Sequence, residues 1–236
     1  VFIVRPGEAI ATDGIVTEWY AYDLNGNRTN SLAGVSTYDA QDRMTAGPGM
    51  VFSYDLNGSL TNRQPTAYSL QPTAFSYDLF GQLKSATLPD SRIVSYDRDA
   101  LSRVVAKRVD GIKVRGWIYK DALKPIAETD ADGNVISFFV YGTSPLSPDT
   151  MTKNGIAYRF IRDVQGSVRL VVDSATGTID QRLDYDSFGN VLQDTNPGFQ
   201  PFSFQSGLYD TDTALVQFGA RWYDAKTGRW LSKDPI

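Results

Sequence analysis

The sequence predicts an all-β protein built from consecutive antiparallel β-hairpins. Three observations predict it. Of the 27 carboxylates, 24 are Asp and only 3 are Glu (Glu8, Glu18, Glu128), and Asp favours turns where Glu favours helix interiors. Twenty Gly and 11 Pro push the same way. Tyr occurs 13 times and is followed directly by Asp in 8 of them; with 24 Asp in 236 residues, chance would give about one.

The pairs are Tyr22-Asp23, Tyr38-Asp39, Tyr54-Asp55, Tyr77-Asp78, Tyr96-Asp97, Tyr185-Asp186, Tyr209-Asp210 and Tyr223-Asp224. The first five begin 16, 16, 23 and 19 residues apart. Their context repeats as well: Tyr22-Asp23-Leu24-Asn25-Gly26 returns as Tyr54-Asp55-Leu56-Asn57-Gly58, Tyr77-Asp78-Leu79-Phe80-Gly81 and Tyr185-Asp186-Ser187-Phe188-Gly189. Degenerate copies fill the middle, at Tyr119-Lys120-Asp121, Asp130 to Val135 and Asp163 to Val168.

Each unit has a physical reading. Phe52-Ser53-Tyr54 and Phe75-Ser76-Tyr77 alternate with period two, so one face of the incoming strand is buried. Asp then starts a turn by accepting backbone N–H groups two or three residues on. Gly supplies the positive φ that closes it. A stretch such as Gly81-Gln82-Leu83-Lys84-Ser85-Ala86 returns as the second strand. Residues 1–141 read as simple repeats of this kind. A longer loop is expected over 142–157, where Gly142-Thr143-Ser144-Pro145 and Asn154-Gly155 fall, with a second loop from Gly189 to Gln200. The opening at Val1, with no signal peptide before it, reads as part of a longer protein.

Composition excludes several functions. Without Cys or His there is no zinc finger, no Ser-His-Asp triad and no disulfide. No run of about 18 apolar residues predicts a membrane span. The net charge of −4 and the scatter of basic residues predict no nucleic-acid surface. Asp130-Ala131-Asp132-Gly133 lacks the further ligands of a calcium loop, so no metal or cofactor is expected.

Tyr22 to Asn30 resembles the YD repeat of RHS proteins. Tyr158 to Arg169, Leu183 to Asn190, Phe204 to Asp210 and Ala220 to Pro235 resemble successive pieces of the RHS repeat-associated core, so 158–236 is read as that core, reaching its first Asp-Pro motif. Members include bacterial polymorphic toxins, the C components of insecticidal toxin complexes and the teneurins. The resemblance implies a spiralling YD-repeat sheet, part of a hollow β-cocoon shell. It further implies a secreted, extracellular or cell-envelope protein that encapsulates or presents a C-terminal toxin or effector. The partners implied are that effector, further shell segments or copies, and a cell-surface glycan.

Relatives cleave themselves with a pair of Asp carboxylates assisted by an Arg. By motif match Asp234 is the first Asp and Arg229 the assisting Arg. Two close carboxylates can share one proton and divide the acid and base roles. The second Asp lies beyond Ile236 in relatives, so this stretch by itself is expected to be inert, with Arg229 and Asp234 forming a structural ion pair or turn contacts. Trp222, Tyr223 and Trp230 are expected to anchor the terminal segment. Other readings are an adhesin or fibre module whose open sheet edges pair between copies, part of an aspartyl autoprotease, and a sugar-binding module using Tyr and Trp platforms.

Overall fold

Hairpin follows hairpin along the chain in the computed structural model, which describes residues 9–12, 15–67 and 70–234. A first sheet holds β1 (Ala9–Thr12), β2 (Ile15–Tyr22), β3 (Arg28–Ser31) and β4 (Gly34–Val35). A sixteen-stranded sheet follows. It runs through β5 (Thr37–Tyr38), β6 (Met44–Gly47), β7 (Met50–Tyr54), β8 (Leu60–Pro65), β9 (Thr73–Tyr77), β10 (Leu83–Thr87), β11 (Ile93–Arg98) and β12 (Val104–Val109). It continues through β13 (Ile112–Tyr119), β14 (Pro125–Thr129), β15 (Val135–Val140), β16 (Thr150–Lys153), β17 (Ile156–Arg162), β18 (Val168–Asp173), β19 (Ile179–Tyr185) and β20 (Val191–Asp194). After a single 3-10 turn at Phe204–Ser206, four short strands form a third sheet: β21 (Leu208–Asp210), β22 (Leu215–Phe218), β23 (Arg221–Asp224) and β24 (Arg229–Trp230). Within each sheet every strand pairs antiparallel with its sequence neighbours.

The turns explain the repeat. At Asp23, Asp39, Asp78 and Asp186 the carboxylate Oδ1 accepts the N–H groups two and four residues on, at 2.8–3.0 Å. Asp55 holds the fourth, Ser59 N–H. The second contact thus lies one or two residues further along than the spacing suggested. The Gly at the third position has φ between +73° and +88° at Gly26, Gly58, Gly81 and Gly189, and its N–H donates back to the Asp carbonyl. The Tyr that precedes each Asp sits where the register slips, so Tyr22, Tyr54 and Tyr185 face Arg28, Leu60 and Val191, the first residues of the return strands.

Two sequence expectations need correction. Residues 142–157 are not one loop: the irregular stretch covers 142–149, and Thr150–Lys153 and Ile156–Arg162 form the next hairpin around Asn154-Gly155. Val191–Asp194 likewise continues the sheet inside the stretch read as loop. In both places Gly and Asn mark a tight turn between strands rather than a break in pairing.

Flat, sixteen strands would span roughly 75 Å. The small third sheet nevertheless reaches both ends of the large one. Arg229 Nη1 donates to the Asp42 carbonyl between β5 and β6, and Asn190 Nδ2, at the start of β20, donates to the Ala225 carbonyl. The first sheet meets the same end: Ser187 N–H donates to Glu18, and the Tyr20 and Phe188 rings pack edge-on at 4.9 Å. The large sheet must therefore curl round the third sheet. Its inner face carries two cores. One joins Phe52, Phe75, Leu83, Val94 and Val104 to Leu215, Trp222 and Leu231 of the third sheet. The other joins Phe139, Met151, Phe160, Val168, Val171 and Leu183 to Phe202.

Candidate functional site

The seam where β21–β24 docks on the inner face gathers most of the residues singled out in the sequence. Apolar burial supplies its bulk. Trp222 is 3% exposed and lies against Tyr96 with ring centroids 4.4 Å apart. Leu231 is 1% exposed, and its carbonyl accepts the Leu60 N–H at 2.7 Å. Tyr223 donates its hydroxyl to the Phe188 carbonyl at 2.9 Å. Trp230 behaves differently from its neighbours: it is 40% exposed, with the Arg221 guanidinium 4.1 Å above its ring.

Buried charge fixes where this segment sits. Arg63 Nη1 meets Asp224 Oδ2 at 3.0 Å, with both side chains shielded from water. Lys107 Nζ lies 2.7 Å from Asp210 and 2.6 Å from Asp212. The Tyr96 hydroxyl donates to the other oxygen of Asp210 at 2.8 Å, and Arg92 holds Asp212 from outside. Burial next to Asp210 drives the Tyr96 phenol well above its ordinary pKa. Asp210 and Asp224 keep their turn duty as well, accepting the N–H groups of Asp212 and Lys226. Asp224 thus closes a hairpin with one oxygen and docks it with the other, while Asp210 Oδ1 takes both the turn N–H and Lys107.

Asp97 departs from the pattern. It lies within β11, where its carboxylate takes Arg108 Nε across the strand pair at 2.8 Å. The turn is capped two residues later by Asp99, which accepts Leu101 N–H and Arg103 N–H. Asp39-Ala40-Gln41-Asp42-Arg43 and Asp99-Ala100-Leu101-Ser102-Arg103 are the same device without glycine. Asp42 and Ser102 take the positive φ, at 58° and 64°, and the Arg four residues on clasps the Asp. Those arginines hold both carboxyls below the usual range. At Asp23 and Asp130 the side chains of Asn27 and Asn134 do the same. Asp130 is therefore a turn cap.

Arg229 and Asp234 are not brought together. Arg229 Nη2 donates to Asn27 Oδ1 at 2.5 Å and its Nη1 to the Asp42 carbonyl, while its guanidinium lies 4.7 Å from the Tyr38 ring centroid. Among the described residues Asp234 pairs instead with Arg221, at 3.4 Å, and the Asp234 side chain is 65% exposed. Arg229 is committed to the turns of the first two repeats because β24 lies over them. Pro235 of the Asp-Pro motif lies outside the described residues.

Residues 7–236 match the family model for the teneurin YD-shell. The chain belongs to the YD-shell family. It is 30% identical to teneurin-1 of Gallus gallus over 227 residues, covering 92% of this chain and 8% of teneurin-1. It is 28% identical to the tRNA3(Ser)-specific nuclease WapA of Bacillus spizizenii over 237 residues, covering 94% of this chain and 10% of WapA. The solved TcdB2-TccC3 structure aligns with 98% of this chain and 19% of its own, at 12% identity and a TM-score of 0.35. The chain spans a tenth or less of these curated relatives. The YD-shell match covers the Tyr-Asp hairpins and the docked third sheet together.

Sequence reasoning missed Tyr96, Arg63 and Lys107 as anchors of the third sheet. Arg63 and Lys107 left no signal of it, since neither of their strands, Leu60–Pro65 and Val104–Val109, alternates apolar with polar residues.

Proposed function

We infer that this chain is a wall segment of a larger secreted shell, and that it works by enclosing or presenting a polypeptide that continues beyond Asp234. The observation that carries this reading is the seam. The third sheet is strapped to the inner face by Arg63–Asp224, by Lys107–Asp210 and by the Leu60–Leu231 backbone bond. Chain leaving that sheet starts from the side the curled wall surrounds. The role is steric, with no turnover of a small substrate. The WapA relatives are nucleases by name, and an effector of that kind is the cargo such a wall would hold. Extracellular or cell-envelope location fits, and no helix among the described residues is long and apolar enough to cross a membrane. Open edges at β5 and β20 suit pairing with further shell segments.

The test is protease protection of the natural protein carrying its C-terminal region. Cleavage of that region only after the shell is denatured supports enclosure; cleavage at the rate of the free region overturns it. Self-cleavage is a separate arm. If Asp234 supplies one of two carboxylates, Asp234→Asn in the extended chain abolishes processing, and continued processing removes that role.

A further inference from the structure

Between the inner face and the third sheet lies a cavity of about 190 Å³ that the seam does not explain. Its floor is a cross-strand row: Tyr96 faces Lys107, which faces Arg115, and Trp117 faces Glu128. Its roof comes from Trp222 and the 194–212 stretch. Most polar groups in its walls are paired: Lys107 with Asp210 and Asp212, Arg115 with one oxygen of Glu128 at 3.3 Å, and Gln181 with Asp194.

Four are not. The Trp117 Nε1–H, the Trp222 Nε1–H, Glu128 Oε2 and the Ser203 hydroxyl are buried without a hydrogen-bond partner, and all four residues line this cavity. Glu128 and Trp222 are each 3% exposed. Burial pushes the Glu128 carboxyl up, and the hydroxyl of Ser137, opposite it in the register, helps to offset this, yet Oε2 is left without a well-formed hydrogen bond. Orphaned polar groups at that depth are costly, and four around one space define a set of contacts to be met.

The set selects the chemistry. The two indoles need acceptors and the carboxylate needs a donor. A hydroxyl group does either. The walls around them are aromatic and aliphatic, with Tyr96, Trp117, Trp222, Val114 and Leu183, which suits the C–H faces of a ring. Acidic side chains outnumber basic ones four to two, which disfavours an anion. Arg115 and Asp212, 33% and 24% exposed, mark the side open to solvent.

We propose that this cavity binds a small neutral polyol, of the size of a monosaccharide or cyclitol, held by Trp117, Trp222 and Glu128. The inference stands apart from the shell reading, since enclosure could fail while the cavity still binds, and the reverse.

The probes are glucose, galactose and myo-inositol, titrated into the folded chain and followed by calorimetry and indole fluorescence, with methylammonium and acetate alongside. A saturable signal from at least one polyol is expected. Trp117→Phe and Glu128→Gln each weaken it about tenfold, as for the loss of one hydrogen bond to a buried group. Trp230→Phe, an exposed indole outside the cavity, leaves it unchanged. Trp222→Phe repeats the test if it folds, and Trp117→Phe decides alone if it does not. No saturable binding of any polyol, tighter binding of methylammonium, or a soaked crystal with ordered water alone in the cavity each overturns the proposal.

Discussion

The Tyr54 hydroxyl donates to the Met44 carbonyl at 2.8 Å, and this contact ties one hairpin to the hairpin before it. Met44 opens the return strand of the Asp39 turn. Tyr38 reaches Arg28, Tyr77 reaches Leu60, Tyr141 reaches Pro125 and Tyr185 reaches Val168 in the same way, each acceptor being the first residue of a strand that leaves a turn. In the Tyr38, Tyr54, Tyr77 and Tyr185 units the Tyr locks the turn of an earlier hairpin while its Asp closes its own. The pair is repeated because the two halves serve different hairpins.

Tyr54→Phe keeps the ring and deletes this link. The expected cost is about 1 kcal/mol, which for a chain of this size lowers the melting temperature by about 2–4 °C. Tyr38→Phe should cost a similar amount. A thermal melt of each variant against the parent measures it, and an unchanged midpoint for both would remove the locking role.

The same burial fixes an alkaline limit. Burial pushes the Tyr54 phenol up to about 12, whereas an unfolded tyrosine ionises near about 10. A folded-state value above the unfolded one means stability is full below about pH 10 and falls as pH rises from there towards 12. Urea midpoints measured across this range should decline, and the decline should be smaller in Tyr54→Phe.

At acid pH the sign is reversed. The N–H of Leu123 and the ammonium of Lys124 hold Asp121 at about 2. Burial pushes Asp149 up, yet the hydrogen bonds from Thr143 and Gly142 and the Arg162 charge outweigh it and leave it at about 2 as well. Such groups stabilise the fold above the ordinary carboxylate range, about 3.9, and stop doing so as pH falls through about 2. Circular dichroism melts should hold near neutrality and drop between about pH 4 and 2. Asp149→Asn, already unable to ionise, should show a shallower drop.

Glycines at the same turn position should not be equivalent. Gly81, at φ +73°, has open space where a Cβ would go, so Gly81→Ala costs about 1–2 kcal/mol of left-handed strain. Gly189, at φ +88°, would place a Cβ 2.4 Å from the Phe204 ring, adding about 1–3 kcal/mol of overpacking. Equal denaturation midpoints for the two variants would contradict the close approach of Phe204.

What the sequence makes legible is whatever is local. The Asp carboxylate and the N–H four residues on lie within one turn, so the motif carries the hairpin itself, and alternation carries the buried face of Phe52 and Phe75. Asp97 misleads because the Tyr-Asp pair is only a proxy for the turn; the residues that decide it are Asp99, Ser102 and Arg103. The docking of the third sheet was not legible. Tyr96 and Asp210 are 114 residues apart and Arg63 and Asp224 are 161 apart, and only the curl of sixteen strands brings them together. The partners of Arg229 are hidden for the same reason: its neighbour in sequence is Asp234, but its neighbours in space are Asn27 and Asp42.

The Arg63–Asp224 pair gives the sharpest test of that docking. With side-chain exposures of 8% and 1%, neither charge can turn to water when the other is removed. Arg63→Met should therefore cost about 3–5 kcal/mol, most of it from leaving Asp224 buried and uncompensated. Adding Asp224→Asn removes the orphaned charge, and its remaining carbonyl oxygen can still accept the Lys226 N–H that closes the turn. The double variant should thus be more stable than Arg63→Met alone, as read from urea midpoints. A double variant whose loss equals the sum of the two single losses would mean that the two residues act independently, and that apolar packing of Leu215, Trp222 and Leu231 alone holds the third sheet in place.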